Sequence, residues 1–450
     1  MASTTTSPPP AGGTTSNTNC SACGSAAPRP HLTCFECADG VDIQGAVSPI
    51  QYCTVRCRDV AATEHKGNCG KRITRTKVYR AGQLLQSAFY RSSSLNFLIK
   101  ITQVYKSEDV LYFHQAELEE RTTVFETSPY RVTQNANDAH AIMSGVEGEF
   151  ALALQFELSK KLLSGIAKYI EEVTIDNTGV TLKAKLYPGC EFLRAAGKHT
   201  VLCIQTHADE SYIIDVTGAR YGQPKAVLCL GEALSFYGRQ VMLMWPHGHH
   251  SCQQLASIEE ELAGDTILVP RDRIIPVYLA TLFNKQLDSW ERTQNIQVCD
   301  LLKSKQDYKF LETTIDGLIV DSSVQGRAVL RKSPPAKVIP LIEVANNDQG
   351  KLNQPVLSTL SKVYTGSDVG KFCYEYHMWM EKCADPERWR TVFQPMLANN
   401  GSIILNFEHT NAGREALKIL ERGGGNPVVS AMLAKSKKLA DFWTFEALAN

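Results

Sequence analysis

The chain has 450 residues, of which 43% are hydrophobic and 21% are charged. This balance is typical of globular proteins, and the length predicts two or three folded units. The 47 Lys and Arg residues equal the 47 Asp and Glu residues. The formal net charge therefore gives no general reason to expect nucleic acid or an anionic membrane as a partner.

Residues 1–19 are rich in Ser, Thr, Pro and Gly and are expected to form a disordered tail, because they offer little apolar surface to bury. They contain no basic segment followed by an apolar run, which a secretory signal would need. Nowhere does the chain have 18 consecutive apolar residues, the length that indicates a transmembrane helix. We therefore expect an intracellular protein of the cytoplasm or nucleus, with no membrane partner.

The cysteines are concentrated near the amino terminus, where seven of the 14 fall between Cys20 and Cys69. Thiols stay reduced inside the cell, so such a block indicates metal ligands rather than disulfides. Together with one histidine, the candidate ligands form four closely spaced pairs: Cys20 and Cys23, Cys34 and Cys37, Cys53 and Cys57, and His65 and Cys69.

Eight ligands in four pairs can supply two tetrahedral metal sites. A gap of two or three residues in a tight turn lets two thiolates face one ion at Zn–S distances near ~2.3 Å. His65 and Cys69 are four residues apart, so one helical turn presents both on the same face. Zinc prefers thiolate and imidazole ligands. The sequence therefore predicts two Zn²⁺ ions in residues 20–69, with an iron–sulfur cluster or disulfides as the alternatives.

The end of this block resembles the MYND-type zinc finger in the stretch Tyr52-Cys53-Thr54-Val55-Arg56-Cys57, followed by His65-Lys66-Gly67-Asn68-Cys69. That family ends in an aromatic–Cys pair, three residues, Cys, seven residues, His-Lys, two residues and Cys, and each interval is matched. The resemblance implies a crossed arrangement of the two zinc ions and a role in protein–protein interaction, of a regulatory kind. It assigns Cys20, Cys23, Cys53 and Cys57 to one ion, and Cys34, Cys37, His65 and Cys69 to the other.

Two departures from the family pattern bear on partner binding. The interval between Cys37 and Cys53 is longer than usual, which predicts an extra loop around residues 38–51. Better-studied members grip proline-rich peptides with a Gln and a Trp, and these positions hold Arg58 and Ala62 here. The resemblance therefore implies a protein partner, but it does not extend to proline-rich peptides as ligands, because Ala cannot replace an aromatic anchor.

The remaining chain predicts a body of mixed secondary structure. Residues 70–81 contain five Lys or Arg and are interpreted as a solvated basic linker. Residues 82–340 are predicted to form an α+β domain of no assigned family, and residues 341–450 a mostly helical region. The predicted fold class is therefore α+β: a small, two-zinc, cross-braced, MYND-like finger followed by a mixed body with a helical C-terminal part.

Three elements stand out in the predicted body. Apolar residues from Leu152 to Ile170 recur at helical spacing and predict one amphipathic helix. Residues 180–186 alternate between apolar and polar side chains and predict a half-buried strand. Thr200–Gln205 and Tyr212–Val216 flank a polar turn and predict a hairpin.

An enzyme whose activity lies in the body is the alternative function. His199 and Asp215 lie on the two strands of the predicted hairpin, as the His and Asp of cysteine hydrolases do. The nearest upstream thiol, Cys190, follows a Pro-Gly turn and not a helix start, where a helix dipole would lower its pKa. A SET-type methyltransferase is less favoured, because the two segments that resemble its motifs, 231–237 and 249–252, occur in the reverse order. No catalytic residue is therefore predicted.

A further group of potential ligands lies at His247, His249, His250 and Cys252. Three histidines within four residues of a Pro/Gly loop do not make a closed tetrahedral set, and no second half of such a site is visible. The segment is therefore predicted to be a solvated loop.

Overall fold

The structure is a computed structural model, and it divides the chain into two compact units, residues 1–77 and residues 78–450. It describes residues 19–25, 32–107, 110–115, 125–145, 148–177, 180, 183–187, 198–238, 241–251, 254 and 271–332. The predicted tail at 1–18 and the helical region predicted at 341–450 lie outside the described residues. In the part that is described, helices and sheets are mixed, and no helix has both the length and the apolarity that a membrane span needs.

The first unit is built around two short strands and two helices. Strands β1 (Leu32–Thr33) and β2 (Gln51–Tyr52) pair antiparallel. Helix α1 (Val55–Val60) follows at once, and helix α2 (Ala62–Leu95) begins two residues after it. The boundary between the two units falls within α2. This order places each candidate ligand pair at a turn or a helix start.

The segment predicted to be a solvated basic linker, residues 70–81, is helical because it lies inside α2. Two of its arginines are buried rather than solvated. Arg72 donates hydrogen bonds within the first unit, to the carbonyls of Gly40 and Ser48. Arg80 donates within the second unit, at 2.9 Å to each of the carbonyls of Leu302 and Lys303. The prediction missed these contacts, because the accepting carbonyls are distant in sequence.

The second unit contains a five-stranded antiparallel sheet, in the order β10-β5-β7-β8-β9. Its strands are β5 (Ala167–Asp176), β7 (Lys198–Thr206), β8 (Ser211–Ile214), β9 (Val227–Cys229) and β10 (Val241–Pro246). They are rich in β-branched and aromatic residues, which favour strands. The hairpin predicted between residues 200 and 216 is confirmed, since β7 pairs antiparallel with β8.

One face of this sheet packs on helix α6 (Leu230–Tyr237), which follows β9 directly. The shared core includes Val173, Val201 and Ile213 from the sheet and Tyr237 from the helix. On the opposite face, helix α5 (Gly148–Leu163) contacts β7. Because both faces are covered, β7 is buried along almost its whole length and not only at alternate residues.

A smaller sheet has the order β3-β4-β6, with β3 (Ile101–Ser107) antiparallel and β6 (Ala184–Tyr187) parallel to the central β4 (Val110–Gln115). The strand predicted at 180–186 is therefore only partly confirmed: Val180 and Lys183 lie in bends, and the strand runs from Ala184 to Tyr187. Short helices α3 (Pro129–Val132) and α4 (Ala136–Met143) follow β4 along the chain. The last described elements are α7 (Arg271–Gln294) and α8 (Lys305–Lys332), which pack on each other.

The single helix predicted from Leu152 to Ile170 was too long. Helix α5 ends at Leu163, and Ile170 lies in strand β5. Gly165 has a φ of +69°, a left-handed conformation that glycine adopts without a steric cost and that ends helices. The apolar spacing continued across this turn by coincidence, so periodicity alone could not mark the end.

Candidate metal centres

The eight predicted ligands come together in two clusters within the first unit. The first metal cluster consists of Cys20, Cys23, Cys53 and Cys57; the second consists of Cys34, Cys37, His65 and Cys69. In each cluster one ligand atom from every residue lies within 4.8 Å of all the others. This is the grouping that the family resemblance implied, in which ligand pairs alternate between the clusters along the chain.

Local structure explains how the first metal cluster forms. Cys20 and Cys23 lie in a tight turn in which the Gly24 N–H donates to the Cys20 carbonyl at 2.9 Å. Cys53 precedes helix α1 and Cys57 lies inside it, so one helical turn brings their sulfurs to 3.5 Å. The Cys23 and Cys53 sulfurs, 30 residues apart in sequence, are 3.7 Å apart.

The second metal cluster joins a turn to helix α2. Cys34 and Cys37 follow strand β1, and the Gly40 N–H donates to the Cys37 carbonyl at 2.9 Å. His65 and Cys69 lie one turn apart in the helix. The Cys34 and Cys69 sulfurs are 3.9 Å apart, and the Cys37 sulfur lies 3.8 Å from Nε2 of His65.

These separations fit a tetrahedral ion and do not fit disulfides. An ion that holds sulfur at ~2.3 Å places two sulfurs about 3.8 Å apart, and a sulfur and an imidazole nitrogen about 3.6 Å apart. A disulfide would require about 2.05 Å between sulfurs, and all seven cysteines are free. The two clusters are therefore positioned to bind metal ions, one with four thiolates and one with three thiolates and an imidazole.

Within each cluster the sulfurs differ in acidity. Backbone hydrogen bonds, from Cys53 above all, lower the pKa of Cys20 to about 6, whereas hydrogen bonding to the Cys57 and Cys20 sulfurs raises that of Cys53 to about 12. In the second cluster, burial raises the pKa of Cys34, but hydrogen bonds led by His65 outweigh it and lower the value to about 7. Burial and the neighbouring sulfur of Cys37 raise the pKa of Cys69 to about 12.

This spread follows from crowding, because thiols within 4 Å of one another cannot all ionise without a cation between them. A divalent ion supplies that cation and takes the place of the shared protons, which is why metal binding to such clusters releases protons. The acidity pattern therefore reflects the same crowding of sulfurs that the distances show.

His65 and Arg72 each leave one buried nitrogen of the first unit without a hydrogen bond. His65 directs Nε2 into the second cluster, and its Nδ1 has no partner among the described residues. Arg72, on the same face of α2, has an unpaired Nε. Arg72 was not predicted to lie beside the candidate ligands. Its position three residues after the ligand Cys69, and so on the same helix face, was the available signal.

The histidine–aspartate pair considered for an enzyme does form in the second unit. His199 in β7 and Asp215 after β8 lie on neighbouring strands, with Nε2 and Oδ2 2.8 Å apart. The carboxylate also accepts hydrogen bonds from the Tyr237 hydroxyl and the Thr217 N–H. Among the described residues, no thiol hydrogen-bonds to His199. Cys190 lies outside the described residues, so the pair lacks a nucleophile in the described part of the chain.

The prediction that His247–Cys252 forms a solvated loop was wrong for His249 and His250. His249 and His250 are buried, and the ring of His249 stacks on Trp245 at 4.0 Å. The carboxylate of Glu172, in strand β5, accepts hydrogen bonds from the Gly248 N–H, the His250 N–H and the His250 ring. Because Glu172 is 76 residues from Gly248, the local sequence gave no sign of it. Cys252 lies outside the described residues.

Glu172 is buried, which raises the pKa of its carboxyl, but the hydrogen bonds and charge of His250 outweigh this and lower the pKa overall. The groups around it do not converge on a common centre, and among the described residues only the two cysteine clusters group three or more potential ligands. The contacts of the 247–250 segment with Glu172 hold the turn after β10 against β5.

The comparisons with known proteins add no relative. No protein-family model, no curated protein and no solved structure matches the chain. The metal clusters and their geometry therefore carry the functional argument.

Proposed function

We propose that residues 20–69 form a MYND-type finger that holds two zinc ions and that the finger binds a protein partner. The observation that carries the zinc proposal is the alternation of ligand pairs between two clusters. Thiolate and imidazole are ligands that select zinc over magnesium or calcium, and a closed set of four protein ligands is typical of structural zinc. Zinc bound in this way stabilises the folded finger directly.

Ligand variants of the full chain, analysed by native mass spectrometry, test the crossed arrangement. The wild-type chain is expected to carry two zinc ions. Cys23→Ser and Cys53→Ser remove ligands of the same cluster, so each variant and their double variant should retain one ion. Cys23→Ser combined with Cys37→Ser should retain none, because these ligands belong to different clusters.

The double variant Cys23→Ser, Cys37→Ser is decisive. If ligand pairs were used consecutively along the chain, Cys23 and Cys37 would share one ion, and the double variant would keep the second ion. Cys299→Ser is a matched control, since Cys299 is a cysteine of the second unit that lies outside both clusters. A wild-type chain without bound metal would overturn the zinc proposal.

The surface of the first unit supports the partner proposal. It exposes several large apolar side chains, among them Phe35 at 96%, Val60 at 77% and Val47 at 65%. Phe35 lies between the ligands Cys34 and Cys37, so the metal site holds it in a fixed position. Exposed apolar groups on a rigid support are typical of protein-binding surfaces.

The charges of the same unit favour an acidic partner segment. Arg56, Lys66 and Lys71 are exposed, and among the described residues no carboxylate pairs with them. A segment that combines apolar side chains with carboxylates would therefore match both features. Nucleic acid was not expected from the net charge, but it would also meet these cations and is therefore the competing outcome of the test.

A displayed peptide library selected on the zinc-loaded full chain tests this proposal. Enriched peptides should combine apolar and acidic residues, and their binding should fall at least tenfold in Phe35→Ser or in Val60→Ser. Phe310→Ser is the control, because Phe310 is an exposed aromatic residue of the second unit. Equal binding by all variants, or preferential binding of a single-stranded oligonucleotide, would contradict the proposal.

A further inference from the structure

Helix α2 continues beyond the two metal ligands with a row of residues on the same face. His65, Cys69, Arg72 and Thr76 are spaced four, three and four residues apart, so they align along the helix. The first two belong to the second metal cluster. Arg72 and Thr76 instead contact residues 39–48, the part of the chain inserted between the ligands Cys37 and Cys53.

The contacts of Arg72 bind this inserted loop to the helix. Its Nη2 donates to the carbonyl oxygen of Gly40 at 2.7 Å and also to that of Ser48, so one nitrogen joins the two ends of the loop. Thr76 Oγ1 accepts from the Val41 N–H at 3.3 Å. Within the loop, the Asp42 carboxylate accepts from the Ala46 N–H at 2.9 Å, which keeps the loop compact.

Arg72 is also a buried charge without a carboxylate partner. Its exposed fraction is 8%, and no acidic side chain among the described residues forms an ion pair with it. Its guanidinium lies beside the ligand turn of the second cluster, since its Nη2 donates to the carbonyl of Gly40, three residues after Cys37. Three thiolates, one neutral imidazole and a divalent ion together carry one negative charge, so Arg72 would neutralise the loaded site.

Gly40 shows how closely these parts are packed. A Cβ atom at this position would lie 2.8 Å from the Cys37 carbonyl oxygen and 3.0 Å from both Cβ and Nε of Arg72. The ligand turn, the start of the inserted loop and the arginine therefore meet at one residue that tolerates no side chain.

We propose that Arg72 is a positioning residue of the second metal cluster: it fixes the inserted loop against the ligand turn and balances the charge of the loaded site. The affinity of that cluster for zinc then depends on Arg72, and the affinity of the first cluster does not. This inference rests on the proposed zinc-binding function. Groups that support metal ligands in this way change affinity by about 10–100-fold when they are replaced.

The experiment measures zinc affinity in the full chain by competition with a chromophoric chelator. A Cys23→Ser background isolates the second cluster, and a Cys37→Ser background isolates the first. Arg72→Gln should weaken zinc binding at the second cluster about 10–100-fold and leave the first unchanged. Arg72→Lys keeps the charge and should recover part of the loss. Lys71→Gln is the matched control, because Lys71 is the exposed neighbour in the same helix.

Zinc binding in the Cys37→Ser background also reports whether the finger folds. The first cluster draws its ligands from both ends of residues 20–57, so it forms only when these ends are brought together. Unchanged affinity of the second cluster in Arg72→Gln would overturn the inference, and so would an equal loss at both clusters, which would mean a general folding role. A loss in Arg72→Lys equal to that in Arg72→Gln would overturn the charge-balancing part. Failure of the wild-type chain to bind zinc would refute the proposed function itself, a distinct result.

Discussion

The Nε2 atom of His199 lies 2.8 Å from Oδ2 of Asp215, and the exposed fractions of the two residues are 3% and 1%. Burial raises the pKa of the Asp215 carboxyl, but the charge and hydrogen bond of His199, together with the Tyr237 hydroxyl, lower it overall. These partners therefore stabilise the ionised form of the Asp215 carboxyl. Such a pair makes a modest net contribution to stability, yet removal of one partner leaves an uncompensated buried group.

We therefore expect His199→Gln to lower the free energy of unfolding of the second unit by about 3–5 kcal/mol, because Asp215 would lose its charged partner. Tryptophan fluorescence during urea unfolding measures this change. It reports on the second unit, since all five tryptophans lie at or beyond residue 245.

Asp209→Asn is the control for this measurement. Asp209 pairs with Lys168 at 3.8 Å with its side chain 72% exposed, so its loss should cost less than about 0.5 kcal/mol. A His199→Gln variant as stable as this control would show that the buried pair does not stabilise the fold.

Replacement of Gly248 by alanine should also destabilise the second unit. Gly248 has a φ of +91°, and a Cβ atom there would lie 2.5 Å from Cε2 of Phe156. The backbone conformation alone costs about 1–3 kcal/mol for a residue with a side chain. Chemical unfolding of Gly248→Ala should show at least this loss.

Gly231→Ala, in contrast, should stabilise the second unit. Gly231 lies in helix α6, and a Cβ atom there would meet no other atom within 4 Å. Because alanine favours helices more than glycine does, this variant should be more stable by about 0.5–1 kcal/mol. A Gly248→Ala variant as stable as the wild type would contradict the contact between the 247–250 turn and α5, and a destabilised Gly231→Ala would contradict the open space at Gly231.

The ligand clusters and the 247–250 segment show which features the sequence could predict. The grouping of the eight candidate ligands was predictable because their spacing is local and their chemistry is specific, and the structure brings them into the two expected clusters. The burial of the 247–250 segment was not predictable, because it depends on Glu172, which comes from another strand. A polar segment appears solvated in sequence whenever its partners are distant.

The same limit applied to the basic segment at 70–81. Its charge suggested solvent exposure, but Arg72 and Arg80 are buried against backbone carbonyls. Carbonyl groups belong to every residue, so no side-chain pattern marks them as acceptors for an arginine. The helix that carries both arginines was not predicted, although His65 and Cys69 at a spacing of four already suggested its first turn.

The stability of the second unit should depend on pH through His247. Burial lowers the pKa of this imidazole to about 4, and its Nε2 lies 2.9 Å from the Ser159 hydroxyl. Its ordinary value is 6.5, so the unfolded chain takes up the proton first as the pH falls. The stabilisation is complete above pH 6.5 and is lost progressively between about pH 6.5 and pH 4, by about 2–3 kcal/mol.

Urea unfolding of the wild type and His247→Gln at several pH values measures this contribution. The difference in unfolding free energy between the two proteins should shrink as the pH falls through this window, while contributions from the metal clusters cancel. A difference that is independent of pH from 7 to 4 would show that His247 titrates normally.

Thr54 connects helix capping to metal affinity in the first cluster. It is the N-cap residue of α1, and its hydroxyl accepts a hydrogen bond from the Cys57 N–H at 3.2 Å. The cap therefore fixes the turn that brings Cys53 and Cys57 together. Loss of an N-cap costs about 1 kcal/mol, so Thr54→Ala should weaken zinc binding at the first cluster by a factor of about 5–10.

Chelator competition in the Cys37→Ser background measures this effect, because only the first cluster then binds. Thr54→Ser keeps the accepting oxygen and should bind as the wild type does. Thr63→Ala controls for loss of a hydroxyl, since Thr63 is exposed and lies inside α2. If Thr54→Ala weakened the second cluster as much as the first, the capped turn would act on the whole finger, and the local link between α1 and its two cysteines would be refuted.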